Sequence, residues 1–215
     1  SAITTGGGAF ANARIVIVDS RFAGNSAGTI GGGGYSSGDM SVTRSQIQFN
    51  TADFGGGLYT TGQMAISQSL LLGNKAQRGG AIFHNQSGAF VTIVNTIFAH
   101  NEATSQGSEI FFNQGVEVTL LHSTIANGNA GINPQSAIIL TAGTLTATKS
   151  NFFHPVSGIR QNKRVVRGDY KPFDSAMLAV EGSTQSGGHS LIGSARFVDA
   201  AGDNYQLTQV SPAVN

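Results

Sequence analysis

The chain repeats one pattern of apolar and hydroxyl positions six times. In each repeat two apolar residues lie two positions apart, a Ser or Thr follows three residues later, and a third apolar residue comes two residues after that. The first apolar position is occupied by Ile15, Met40, Met64, Val91, Val118 and Leu145. Successive repeats therefore begin about 24 to 27 residues apart, and a step this regular predicts a stacked repeat protein and not a compact globule.

The spacing within each repeat predicts two short strands joined by a bend. Residues two apart share one face of a strand, so Ile15 and Ile17 both point inward, as do Ser20 and Phe22. The three-residue step from Ile17 to Ser20 breaks this alternation, and we expect a corner there. The hydroxyl position is occupied by Ser20, Ser45, Ser69, Thr96, Ser123 and Ser150. We expect these hydroxyls to bond to one another or to the backbone along the repeat.

A polar turn follows the second strand. Four repeats have an asparagine three residues after the last apolar position, at Asn25, Asn50, Asn74 and Asn101. We expect the side-chain amides to form a ladder between repeats. Runs of glycine, such as Gly31 to Gly34, then open the next repeat, where the chain can adopt positive φ.

These features predict an all-β fold, a right-handed parallel β-helix with coils of about 24 to 27 residues and an irregular C-terminal segment. Equivalent strands would stack about 4.8 Å apart. A leucine-rich repeat has a similar period, but it needs leucine at fixed positions and a helical segment, and no repeat here has a helical period. We divide the chain into regular coils (1–155), a charged loop or irregular coil (156–188) and a terminal coil or cap (189–215).

The composition of the chain limits the classes of ligand and partner that we expect it to bind. The chain has 30 glycines, no cysteine, 11% charged residues and a net charge of +1. The near-neutral charge, without aromatic residues between the basic ones, argues against nucleic acid. The absence of cysteine excludes disulfides and thiolate metal sites. No run approaches the roughly 18 apolar residues of a membrane helix. We expect no cofactor.

The segment 156–188 contains the chain's one concentration of charge. Its basic residues are Arg160, Lys163, Arg164, Arg167 and Lys171. They could simply keep a loop in solvent, or they could bind an acidic glycan, a lipid headgroup or a protein. Arg167-Gly168-Asp169 also spells the integrin-binding tripeptide, which remains a motif-only hypothesis. The hydroxyl and apolar positions resume only at Ser190 and Ile192, so we expect a protruding loop or an irregular coil before them.

Short tetrapeptides connect the chain to a known family. Residues 79–82 read Gly-Gly-Ala-Ile, and residues 22–25 and 98–101 both read Phe-x-x-Asn. These resemble the GGA[ILV] and FxxN repeats of chlamydial polymorphic outer-membrane proteins and related bacterial surface β-helices. Residues 187–193, with Phe197-Val198-Asp199 and Ser211-Pro212-Ala213, are similar to the closing segment of secreted bacterial β-helices. The resemblance implies an extracellular location and an adhesive, display or structural role, with any surface anchor outside these 215 residues.

A polysaccharide lyase or hydrolase is the main alternative. Such enzymes need clustered carboxylates, with Ca²⁺ or as an acid pair, and these would come from adjacent coils. The densest acids, Glu102, Glu109 and Glu117, fall at three different places in the coil. The histidines also occupy different columns, at His84, His100, His122, His154 and His189. We therefore assign no catalytic or metal site, and an enzyme's site would lie in loops around 102–117 or 160–171.

The outward positions of the first predicted strand form an uncharged strip. Its residues are Val16, Val18, Ser41, Thr43, Ala65, Ser67, Thr92, Val94, Thr119, Leu121, Thr146 and Thr148. Strand propensity alone explains most of this pattern, because Thr and Val favour exposed strands. The functional alternative is docking to ice, a crystalline glycan or a second β-helix.

Both ends of a β-helix present strand edges. We expect the first coil, which begins at Gly6, to be covered by a flanking domain or by another subunit. Subunits joined end to end would form a filament. The sequence thus favours a non-enzymatic surface or secreted protein that adheres, supports or assembles, with a glycan or a surface protein as a possible ligand.

Overall fold

The computed structural model describes residues 5–126, 128–130, 136–153, 157–161, 166–168, 170–172, 184–186, 197–199 and 204–207. This part of the chain consists of strands and turns and contains no helix. In chain order the strands are β1 (Ala9–Ala11), β2 (Ile15–Val18), β3 (Arg21–Ala23), β4 (Gly34–Ser36), β5 (Met40–Thr43), β6 (Gln46–Gln48), β7 (Leu58–Thr60), β8 (Met64–Ser67), β9 (Leu70–Leu72), β10 (Lys75–Arg78), β11 (Ile82–His84), β12 (Phe90–Val94), β13 (Ile97–Ala99), β14 (Glu102–Gln106), β15 (Ile110–Leu121), β16 (Thr124–Ala126), β17 (Asn129–Ala130), β18 (Ser136–Thr148), β19 (Ser150–Phe153), β20 (Ser157–Gln161), β21 (Val166–Gly168), β22 (Tyr170–Pro172), β23 (Thr184–Ser186), β24 (Phe197–Asp199) and β25 (Asn204–Leu207).

Parallel pairing between equivalent strands of successive coils builds the fold. In the largest sheet, one row runs β1-β4-β7-β11-β15 and a second row runs β2-β5-β8-β12-β15, and β18 continues from β15. A second sheet runs β3-β6-β9-β13-β16-β19-β22, and a short third sheet runs β10-β14-β17. Only β24 and β25, in the predicted terminal region, pair antiparallel among the described strands. The predicted all-β parallel solenoid is confirmed.

The pairing register matches the repeat in the sequence. The first apolar column stacks in the order Ile15, Met40, Met64, Val91, Val118 and Leu145. This column, the second apolar column and the third all line one continuous interior. Val42, Ile93 and Phe98, for example, are completely buried. The apolar positions of the sequence therefore define the core.

Each coil has at least one strand more than the sequence predicted, and β10, β14 and β17 add a further short strand to three coils. A short strand such as β4 or β7 precedes the predicted pair and belongs to the same sheet as the first member of that pair. It lies at or directly after the glycine run, so it has only three residues and no recognisable alternation. In β15 and β18 this extra strand and the next one are continuous.

The predicted corner between the two strands lies at a residue with positive φ in all six coils. These residues are Asp19, Arg44, Gln68, Asn95, His122 and Lys149, with φ between 45° and 51°. A left-handed residue reverses the alternation of the strand, which lets the apolar pairs on either side face the same interior. None of the six is glycine, although a side chain in this conformation costs about 1 to 2 kcal/mol.

A different corner opens the first five coils and is occupied by glycine in all five. It lies at Gly6, Gly31, Gly55, Gly79 and Gly107, all with φ between 60° and 65°. A Cβ atom on Gly55 would lie 2.2 Å from the carbonyl oxygen of Leu58, which leaves no space for a side chain. The glycine runs of the sequence are therefore required by both backbone conformation and close packing.

The described part of segment 156–188 stacks on the coil before it. Leu145 pairs with Val166 and Ser150 with Tyr170, so this coil is several residues shorter than the coils that precede it. The next described strand, β23, pairs in parallel with β21. The described strands of this segment therefore continue the parallel stacking, with a shorter step between equivalent positions. Ser190 and Ile192, where the repeat was expected to resume, lie outside the described residues.

Candidate functional surfaces

The four asparagines form a continuous hydrogen-bonded ladder. In each step the side-chain oxygen of one asparagine accepts from both the backbone N–H and the side-chain amide of the asparagine one coil earlier, at 2.9 to 3.0 Å. The amides of Asn50, Asn74 and Asn101 also donate to the carbonyls of Phe22, Ile47 and Leu71. Asn50, Asn74 and Asn101 are completely buried. Their polar groups are used to hold coils together.

The hydroxyl column forms a second ladder, but its bonds run to the backbone and not between hydroxyls. Each hydroxyl donates to the carbonyl two residues earlier, as Ser45 does to Thr43 at 2.8 Å. The oxygens of Ser45, Ser69, Ser123 and Ser150 also accept the backbone N–H of the matching residue one coil earlier, as from Ser20 to Ser45 at 3.1 Å. The same donation to the backbone holds at Ser20, Ser69, Thr96, Ser123 and Ser150.

The three densest acids do not meet. Glu102 forms a 2.9 Å ion pair with Lys75 on the neighbouring coil. Glu117 is exposed and lines an open groove of about 430 Å³. Glu109 is completely buried, and burial raises the pKa of its carboxyl well above the usual range, although hydrogen bonds from Asn101 act in the opposite direction. Within the described residues, no three Asp, Glu or His side chains lie together as metal ligands would.

His84 is completely buried at the end of β11. Its Nε2 donates to the carbonyl of Gly62 at 2.8 Å, and its Nδ1 has no hydrogen-bond partner in the structure. Burial lowers the pKa of His84, and the bond to Gly62 only partly offsets this. Ser36 and Thr60, which precede His84 in the same column, also donate to carbonyls of the coil below. This column therefore anchors the loops between the first two strands.

The other candidate residues are widely separated or lie outside the described part. His100 and His122 are exposed at two different corners of the coil. In the basic segment, Arg160, Arg167, Gly168 and Lys171 lie on β20, β21 and β22. Lys163, Arg164, Asp169, His154 and His189 lie outside the described residues. The corner residues Arg44 and Asp19 form an exposed two-bond ion pair at 2.7 Å.

The uncharged strip points to solvent along six coils. In each coil its residues alternate with core residues on β2, β5, β8, β12, β15 and β18. Val16 and Val18 in the first coil are 55% and 42% exposed. Thr92, Thr119 and Thr146 stack in register over three coils. The strip is therefore a regular surface of short, uncharged side chains.

The sequence-based reasoning missed an aromatic column on the outside of the extra strand. Its rings stack at centroid distances of 5.2 to 5.6 Å, in the order Phe10, Tyr35, Tyr59, Phe83 and Phe111. Exposure falls along the column, from 51% for Phe10 to 2% for Phe111, because Phe54 and Arg78 cover the later rings. The sequence did contain a signal for this column, because each aromatic residue lies four positions after a glycine that has positive φ in the structure.

Comparison with known proteins found no protein-family model, no curated protein and no solved structure that matches the chain. Among the described residues there is no helix that is long and apolar enough to cross a membrane.

Proposed function

We propose that the chain is a non-enzymatic protein of the cell surface or the extracellular space, with an adhesive or structural role in which the strip makes the contact. The observation that carries this proposal is the register of the outward-facing strip over six coils, in which every side chain is at least partly exposed. Its side chains are short and mostly β-branched, so they lose little entropy when a partner covers them. A flat, extended partner such as a glycan surface matches such a strip.

The internal ladders support a structural role. The buried asparagines and hydroxyls bond between coils and not toward a cleft. Stacked in this way, the solenoid can hold a surface of fixed spacing against a partner. The extracellular location comes from the resemblance of the FxxN and GGA[ILV] repeats, and it belongs to the proposal.

Self-association through the solenoid ends is part of the same proposal. Coils add to one another by parallel pairing of equivalent strands, so a second copy could add to an end by the same pairing. Light scattering after size exclusion, with negative-stain electron microscopy, measures this directly. Filaments would support assembly, whereas a 22.1 kDa monomer at all concentrations would contradict it.

The strip itself is tested by adding charge. Thr92→Lys with Thr119→Lys places two lysines on adjacent coils of the strip, where both threonines are exposed. Thr51→Lys with Thr104→Lys adds the same charge at exposed positions elsewhere, as the matched control. We expect the strip variant alone to lose retention on crystalline cellulose or chitin particles. Equal retention of both variants, or none by the unmodified protein, would contradict contact through the strip.

The non-enzymatic part has its own test. Incubation with uronate-rich polysaccharide and Ca²⁺ should release neither unsaturated nor reducing sugar. Measurable release would instead support a polysaccharide-degrading enzyme, and loss of that release in Glu117→Gln would place its site in the groove beside Glu117.

A further inference from the structure

The asparagine ladder has a gap in the fifth coil. Glu102 pairs with Asn129, so the residue opposite Asn101 in the next coil is Gly128. Gly128 has no side chain to accept the two N–H groups that Asn101 presents. In the earlier coils the next asparagine supplies that acceptor, for example Asn101 for Asn74.

The carboxyl group of Glu109 fills this gap. Its Oε2 accepts the side-chain amide of Asn101, and the backbone N–H of Asn101 also donates to the carboxyl. Glu109 directly precedes β15, and its carbonyl accepts the backbone N–H groups of Ala81 and Ile82, which fixes the residue at the start of the coil. It therefore takes the place of the missing amide oxygen.

The column that contains Glu109 explains why such a long side chain fits only here. In earlier coils this column holds Gly33, Gly57 and then Ala81. A Cβ atom on Gly33 would lie 3.0 Å from the amide nitrogen of Asn50, so the ladder itself occupies the space. Where the amide is absent, the same space is free for the Glu109 side chain.

The surroundings of Glu109 suit a neutral carboxylic acid. The carboxyl is completely buried, and its Oε1 has no hydrogen-bond partner. An ionised carboxylate has about four acceptor sites, and most of them would stay unpaired here. The charged residues on the strands that surround this end of the ladder are Lys75, Arg78, Glu102 and Glu117, and all four are at least partly exposed. Lys75 and Glu102 already pair with each other.

We propose that Glu109 is a proton-operated latch, whose neutral carboxylic acid completes the asparagine ladder and whose ionisation loosens the coils that follow Asn101. Its protonated form presents a carbonyl oxygen where an asparagine would present its own. Loss of the proton leaves a buried charge beside an apolar core. The latch is thus engaged at low pH and released as pH rises.

The sign of the pH effect follows from burial. The folded chain holds the Glu109 proton at pH values where the unfolded chain, with an ordinary pKa near 4.3, has already lost it. Stability is therefore fully present below about pH 4.3 and falls as pH rises toward the folded pKa. In that range each pH unit lowers the folding equilibrium constant by at most about tenfold, which corresponds to about 1.36 kcal/mol.

Glu109→Gln tests the latch, because glutamine has the same shape and never ionises. Urea unfolding of both proteins between pH 4 and pH 9 isolates Glu109, since all other titrating groups are shared. We expect the midpoint of the unmodified protein to fall relative to Glu109→Gln as pH rises. Glu117→Gln, an exposed change in the same strand region, should follow the unmodified protein. Parallel pH profiles for the unmodified protein and Glu109→Gln would overturn the proposal.

Two further measurements test the proposal even if Glu109→Gln does not fold. The double variant Glu109→Ala with Gly128→Asn restores an amide to the ladder, and its pH profile should also lack the loss seen in the unmodified protein. Carbon-13 NMR of the unmodified protein reads the carboxyl directly. The Glu109 carboxyl should keep its proton as pH rises above about 4.3, the ordinary value for a glutamate. Titration of the Glu109 carboxyl near pH 4.3 would refute the latch.

Discussion

Removing Asn74 should weaken the solenoid more than removing the asparagine at the end of the same ladder. Asn74→Ala deletes four hydrogen bonds of 2.8 to 3.0 Å, two accepted from Asn50 and two donated to Asn101 and Ile47. The backbone N–H of Asn50 is then buried without its acceptor. An orphaned donor costs about 1 to 3 kcal/mol, and with the other lost bonds we expect a total of about 2 to 4 kcal/mol.

Asn25→Ala is the matched control. Asn25 is only half-buried, and its side chain makes one described bond, from its amide to the side-chain oxygen of Asn50. Its backbone N–H keeps the same acceptor after the change, at 2.9 Å. No buried group is orphaned, so we expect a loss of about 1 kcal/mol or less.

The assay is urea unfolding followed by far-ultraviolet circular dichroism, with tyrosine fluorescence as a second probe. Coincident transitions establish that a single free energy of unfolding applies to this repeat protein. The midpoint of Asn74→Ala should fall well below that of Asn25→Ala, with little change in the slope. Equal shifts for the two variants, or no shift for Asn74→Ala, would refute the stabilising role assigned to the ladder.

Three other predictions use matched positions or pH. Gly55→Ala should abolish folding or lower the free energy of unfolding by several kcal/mol, because its Cβ would meet the backbone at 2.2 Å. Gly24→Ala, with φ of 68° and no atom within 4 Å of its Cβ, should lower that free energy by only about 1 to 2 kcal/mol. Thermal melting of the two variants compares these losses. Phe83→Ala should lower the free energy of unfolding in urea by about 3 to 5 kcal/mol, and Phe10→Ala by about 1 kcal/mol or less, because only Phe83 is buried. Equal losses for the two variants would contradict this prediction. Burial lowers the pKa of His84, so the unfolded chain binds a proton at a higher pH than the folded chain, and stability should fall as pH drops below about 6.5. The urea midpoint of His84→Gln should fall less over the same pH range. Identical pH profiles for the two proteins would refute this role of His84.

The parts of the fold that the sequence predicted are those with a repeating apolar pattern. Ile17, Val42 and Ile93 belong to one buried column, and each lies two residues after the first apolar position of its repeat. This spacing was predictable because residues two apart share one face of a strand. The ladders were also visible, because Asn and Ser recur at a fixed distance from that column. Periodicity thus specifies which residues stack, since a solenoid pairs each residue with its equivalent in the next coil.

Other features depend on contacts that the repeat does not encode. Glu109 lies in a column otherwise filled by small residues, and its role follows from the absence of a side chain at Gly128, a position in a different column of the repeat. The extra strand was missed because three residues beside a glycine run carry no alternation. The left-handed corner was predicted only as a bend, because Arg44 and Lys149 do not favour positive φ. Asp19, Asn95 and His122 at the same position favour positive φ more, and they were the signal in the sequence for a left-handed corner.

The coils differ in length while the ladders stay in register, and the difference is taken up mainly in one loop. Strands β7 and β8 are separated by three residues, whereas β11 and β12 are separated by the five residues 85–89. Gln86, Ser87 and Gly88 are exposed, and no atom lies within 4 Å of where a Cβ on Gly88 would be. This loop is therefore a permissive insertion site. A foreign peptide grafted there should be displayed outside the solenoid, and evolution could lengthen the same loop to acquire a new ligand without altering the core.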